Sequence, residues 1–163
     1  MWRQLTQKAR KAILVAHEEA ERLGYNHVGS EHLLLAITRE EDCVASMILN
    51  RLGIDAGTVR VEVMRKVSPG TESLEEMQLA ADAKHAIDFA FDEVKLMKDE
   101  WVGTEHLLIG LVHEAGGVAS GVLCELGADL AKLRTQLRNV KAGTLPFGRI
   151  NENAPTRSSL SLI

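Results

Sequence analysis

Residues 28–34, Val-Gly-Ser-Glu-His-Leu-Leu, return at 102–108 as Val-Gly-Thr-Glu-His-Leu-Leu, and the agreement runs well beyond them. Shifted by 74 positions, residues 5–55 align with 79–129 without a gap, and 20 of the 51 pairs are identical. Leu5/Leu79, Ala9/Ala83, Ala12/Ala86, Ile13/Ile87, Ala16/Ala90 and Leu49/Leu123 are among them. Most identities are apolar or glycine and fall at helical spacing, so the duplication constrains the fold before it constrains any chemistry.

Each half reads as four helices. The first begins at Thr6, an N-cap type, sets Ala9, Ala12, Ile13, Ala16, Ala20 and Leu23 on one stripe, and stops at Gly24. Its counterpart runs from about Ala80 to Met97. Ser30 and Thr104 stand where second helices start, as N-cap candidates with Glu31 and Glu105 in the first turn. Third helices end at Gly53 and Gly127, and fourth helices start at Asp55 and Asp129. The expectation is an all-α fold: eight helices as two pseudo-two-fold-related four-helix repeats. Repeat one covers about 1–67 and repeat two about 77–141, with a turn-rich linker at 68–76. Residues 142–163 lose the amphipathic period and read as a flexible tail or linker.

Aromatics make up 4% of the chain, so its core is built from aliphatic side chains and alanine, which favours close-packed helices. A net charge of −4 without a Lys/Arg run offers nothing general to nucleic acid or an anionic membrane. No apolar run has membrane-spanning length, and no secretory leader pattern opens the chain. The expected setting is the cytoplasm, with Cys43 and Cys124 as buried small hydrophobes, and the expected state of the isolated domain is a monomer.

Glu31-His32 and Glu105-His106 invite a metal reading, but neither helix supplies the second histidine a turn away that a His-Glu-x-x-His site needs. Structural roles for the two histidines follow from the rule that buried polar groups find partners. His17 and His27 align with Phe91 and Trp101 and read as packing positions, whereas His85 and His113 read as solvated. No nucleophile elbow or phosphate loop occurs, so neither enzyme activity nor a cofactor or metal is expected. The glutamates carry the functional expectation. If the halves pack about a two-fold, Glu31 and Glu105 could face a shared groove, and paired carboxylates suit a guanidinium.

The repeated Gly-Ser/Thr-Glu-His-Leu-Leu motif, the opening LTQKARKAILVAHEEAERLGY, and the Gly53-Ile-Asp and Gly127-Ala-Asp ends of the third helices resemble a known family. Over residues 1–141 the chain looks like a double Clp N-terminal repeat domain, most closely that of ClpC-type AAA+ unfoldases. The resemblance implies a non-catalytic module that recruits adaptor proteins and substrates to an ATP-dependent Clp unfoldase or protease. It also implies recognition of phosphoarginine at two related sites. Glu31 and Glu105 match the glutamates that engage the arginine part, and Thr6 matches the threonine that assists the first site near phosphate. Val28 and Val102, beside the same helix starts, complete the expected ligand-binding set with Thr6, Glu31 and Glu105. The pattern is broken at Ala80, where the second half lacks the threonine hydroxyl, and at Gln7, where an acid is usual. The alternative is a free-standing accessory subunit that docks on or modulates the Clp complex.

Overall fold

The structure, a computed structural model, describes residues 2–70 and 77–142. A 3-10 turn at Trp2–Gln4 leads into α1 (Gln7–Arg22), β1 (His27–Val28), α2 (Ser30–Arg39), α3 (Val44–Arg51) and α4 (Ala56–Lys66). The second repeat follows as β2 (Gln78–Leu79), α5 (Ala81–Met97), α6 (Thr104–His113), α7 (Val118–Glu125) and α8 (Leu130–Lys141). Among the described residues, the all-α expectation of eight helices in two repeats holds. The expected linker residues 71–76 and the tail beyond 142 lie outside the described residues.

Local chemistry explains most of the boundaries. Thr6 Oγ1 accepts the Ala9 N–H at 3.1 Å, and Asp55 and Asp129 accept from Thr58 and Lys132 at 2.7 and 2.8 Å. Each satisfies a first-turn donor that the helix itself cannot. Gly24, Gly53 and Gly127 take positive φ where helices end, as left-handed termination requires. At the position equivalent to Gly24, α5 ends instead on Lys98 with φ 58°.

α2 and α6 form the centre. Every residue from Ser30 to Thr38 is buried, as is every residue of Thr104–Val112 except Glu105. The small-residue faces of α1 and α5 lie against them. α5 and α6 approach closely at Gly110, where an added Cβ would stand 2.1 Å from the Ala86 carbonyl oxygen. No single described helix is long and apolar enough to cross a membrane.

The repeats are tied crosswise. β1 runs parallel to β2, pairing His27 with Gln78 and Val28 with Leu79, and Leu5 pairs in parallel with Val102. Val28 with Leu79 and Val102 with Leu5 are the same contact made in opposite senses. Side-chain pairs repeat as well. The carboxylate of Glu19, fully buried on α1, accepts from Arg60 of α4 at 2.7 Å and Arg39 of α2 at 3.1 Å. Buried Glu93 on α5 pairs with Arg134 of α8 in the same way. Cys43 is buried as expected, but Cys124 is exposed. It occupies the outward position of α7 that Asn50, also exposed, occupies on α3.

Candidate ligand-binding site at the starts of the two central helices

Ser30 and Thr104 are not the N-caps of their helices. Gly29 and Gly103 hold that position in extended conformation, and the two hydroxyls sit one residue inside. There they reach across the pseudo-two-fold. Ser30 Oγ accepts the Ala119 N–H at the start of α7, and Thr104 Oγ1 accepts the Ala45 N–H at the start of α3, both at 3.2 Å. Each central helix therefore caps a helix of the other repeat.

The role of N-terminal acceptor passes to histidine. His32 Nδ1 accepts the Gly29 N–H and His106 Nδ1 the Gly103 N–H, each at 2.9 Å. This is the returning half of a capping box, made by an imidazole at the third helical position rather than by glutamate or glutamine, the glycine N-cap having no side chain to supply the other half. Acceptance at Nδ1 puts the proton on Nε2. In the second repeat Nε2 lies 2.8 Å from Asp99 Oδ2, and Lys141 also reaches that carboxylate. Asp99 is held below the usual carboxylate range: burial opposes this, but Lys141 and His106 together outweigh it. In the first repeat Tyr25 stands at the position of Asp99. Its ring lies 5.1 Å from that of His32, and His32 Nε2 has no hydrogen-bond partner among the described residues. Burial, with a smaller contribution from His27, pulls the His32 pKa down to about 4.

The glutamates turn back over their own first turns. Glu31 is buried, and a Cβ on Gly29 would stand 2.4 Å from its Oε1, so only glycine leaves room for the carboxylate there. Burial raises the Glu31 pKa and nearby Asp82 raises it further, against an opposing hydrogen bond from its own backbone N–H. Half-buried Glu105 places Oε1 3.6 Å from His106 Nδ1. Val28 and Val102 are fully buried, so their side chains serve the core. Their carbonyls accept from Ala80 and Thr6 at 2.8 and 2.9 Å.

Those two hydrogen bonds set the two residues crosswise. Thr6 sits against Val102, at the Glu105 start, whereas Ala80 sits against Val28, at the Glu31 start. The residue without a hydroxyl therefore lies beside the first-half start. Linear order suggested the opposite, because it cannot show that each start is completed by the other repeat. Asp82 is a residue at the first-half start that the sequence pattern alone did not mark out. It stands where Lys8 stands in the first repeat, and its Oδ2 accepts the Ser30 N–H at 3.2 Å. The signal that could have found it is the sign reversal between aligned positions 8 and 82. Among the described residues, no group of three or more His, Cys, Asp or Glu side chains is placed to hold a metal ion.

The family model of the Clp repeat N-terminal domain matches residues 4–120 and 100–161. The chain belongs to this family. It is similar to the negative regulator of genetic competence ClpC/MecB of Bacillus subtilis, at 36% identity over 99% of this chain and 20% of the relative. Similarity extends to chaperone protein ClpB of Oceanobacillus iheyensis, at 36% identity over 84% of this chain and 17% of that protein. The ClpA homologue of Cyanidium caldarium is 41% identical over 84% of this chain and 16% of its own length. The chain thus spans about a fifth of these relatives, and the family, not ClpC in particular, is what the likeness shows. Among solved structures, the N-terminal domain of Candida albicans Hsp104 shares the fold with a TM-score of 0.69 at 18% identity, over 93% of this chain and 99% of that one. The N-domain of Vibrio cholerae ClpV does so with a TM-score of 0.73 at 12% identity, covering 85% and 84%. The Clp N-terminal repeat domain is the non-catalytic module of Clp/Hsp100 proteins.

Proposed function

We infer that this domain is a protein-binding module that recruits adaptors or substrates to an ATP-dependent Clp unfoldase. We also infer that its recognition element is the helix start at Glu105. The observation that carries the reading is the composite nature of that start: Val102, three residues before Glu105, pairs with Leu5 of the other repeat, and its carbonyl accepts the Thr6 N–H. A carboxylate for a guanidinium and a hydroxyl for an anion are the complement of a phosphorylated arginine side chain. The membership of the Clp N-terminal family supports the recruiting role, and the phosphoarginine specificity rests on the chemistry of the start.

Titration calorimetry with phosphoarginine, with free arginine and phosphoserine as controls, tests the ligand. Selective binding that is lost in Glu105→Ala, with helicity unchanged, is the expected result. Equal binding of phosphoserine, or binding retained in Glu105→Ala, refutes the assignment. Co-purification with a Clp peptidase ring in the absence of the ATPase would instead favour the accessory-subunit role.

A further inference from the structure

We propose that the two related helix starts are not equivalent, and that Asp82 is the residue that closes the first-half start to anionic ligands by acting as a built-in anion. The inference rests on the proposed reading of the Glu105 start, whose pseudo-symmetric copy is the start at Glu31.

The donors that an incoming phosphate would use at the start of α2 are already committed. The Gly29 N–H goes to His32 Nδ1 at 2.9 Å, as the Gly103 N–H goes to His106 Nδ1 at the other start, so the difference lies at the Ser30 N–H, which goes to Asp82 Oδ2 at 3.2 Å. Backbone N–H groups at a helix start bind anions because they lack intrahelical partners, and here that reason is removed. Asp82 is firmly anchored in this position, because its other oxygen accepts the Ala83 N–H at 2.8 Å and fixes the carboxylate at the first turn of α5.

Charge points the same way. A phosphate brought to this start would meet the carboxylates of Glu31 and Asp82 together, and the hydroxyl that could donate to it is replaced by Ala80. By alignment the corresponding residues of the other repeat are Thr6 and Lys8, a hydroxyl and a cation, the Lys8 ammonium lying 3.5 Å from Glu40 Oε1. Like charges at an interface cost enough that the first-half start should bind an anion at least about a hundredfold more weakly. The Glu31 pKa is raised chiefly by burial, and the nearby Asp82 carboxylate adds to that.

The test is the stoichiometry of phosphoarginine binding, read by calorimetry on the full chain. The wild type is expected to take one equivalent, lost in Glu105→Ala and kept in Glu31→Ala. The double variant Ala80→Thr/Asp82→Lys copies the Thr6/Lys8 pair of the other repeat and should gain a second equivalent that Glu31→Ala removes. Ala80→Thr/Asp82→Ala frees the Ser30 N–H without adding a cation and should gain it more weakly; thermal melts confirm that both fold. Two equivalents of similar affinity in the wild type, or a single one lost in Glu31→Ala, overturn the proposal. So does a failure of both double variants to gain binding while the wild type still takes one. A wild type that binds none beside a double variant that binds one keeps Asp82 as the closing residue and refutes the Glu105 assignment. No binding in any form refutes both.

Discussion

Lys98 and Gly24 occupy one structural position in two repeats, and only one of them is suited to it. A residue with a Cβ in the left-handed region carries about 1–2 kcal/mol of strain that glycine avoids. Lys98→Gly should therefore stabilise the domain by about 0.5–1 kcal/mol after the extra flexibility of glycine in the unfolded chain is subtracted. Chemical denaturation checks this, and a lower midpoint would refute it. His32 makes a second prediction at this scale. Its folded pKa, about 4, lies below the ordinary value of 6.5, so the unfolded chain takes up a proton that the folded one refuses. That contribution to stability is complete above pH 6.5 and is lost as pH falls towards 4, by about 3 kcal/mol. The lowered carboxyls of Glu19, Glu40 and Asp99 act in the same direction, but only below the normal carboxylate range, and raised Glu31 acts against them. Denaturation midpoints measured from pH 7 to pH 5 should fall in the wild type and stay nearly level in His32→Asn, which keeps an acceptor for Gly29. An equal slope in both would show that His32 is not the titrating group.

At the scale of elements, the exchange of caps is what locks the repeats in register. Ser30→Ala removes the acceptor of the Ala119 N–H on α7, and Thr104→Ala does the same for Ala45 on α3. Each should cost about 1 kcal/mol, the ordinary worth of a helix cap, although neither hydroxyl caps its own helix. Amide exchange should quicken first at Ala119 or Ala45, on the repeat opposite the substitution; acceleration at the start of α2 or α6 instead would contradict the cross-repeat assignment. The helices themselves were legible from Ala9, Ala12, Ile13 and their counterparts, because burial stripes have a period. The caps at Thr6, Asp55 and Asp129 were legible because they are local. Ser30 and Thr104 misled because a serine or threonine before an acidic first turn carries the same local signature whether its hydroxyl turns inward or reaches 89 or 59 residues away.

The whole molecule is a single cooperative body if the crosswise pairing means what its geometry says. Residues 1–70 alone would expose the faces of α2 that pack on α5, α6 and α7 and would lose the partners of Leu5 and Val28. That fragment should show no cooperative thermal transition by circular dichroism, and an independent sigmoidal melt would overturn the picture. The pairing of Thr6 with Glu105 and of Ala80 with Glu31 could not be read from linear order for the same reason. Two halves related by a two-fold can complete their sites within each half or between halves, and the sequence pattern is identical in the two cases.

The crosswise pairing also bears on how such a binding surface can change. In a symmetric dimer of one repeat, every substitution is made twice, and both copies of a site alter together. Here one polypeptide holds both copies, so Thr6 and Ala80, or Lys8 and Asp82, are separate positions that can drift apart without disturbing the shared core. Fusion turns a matched pair of receptors into two instruments that can be tuned singly, one kept sensitive while the other is muted.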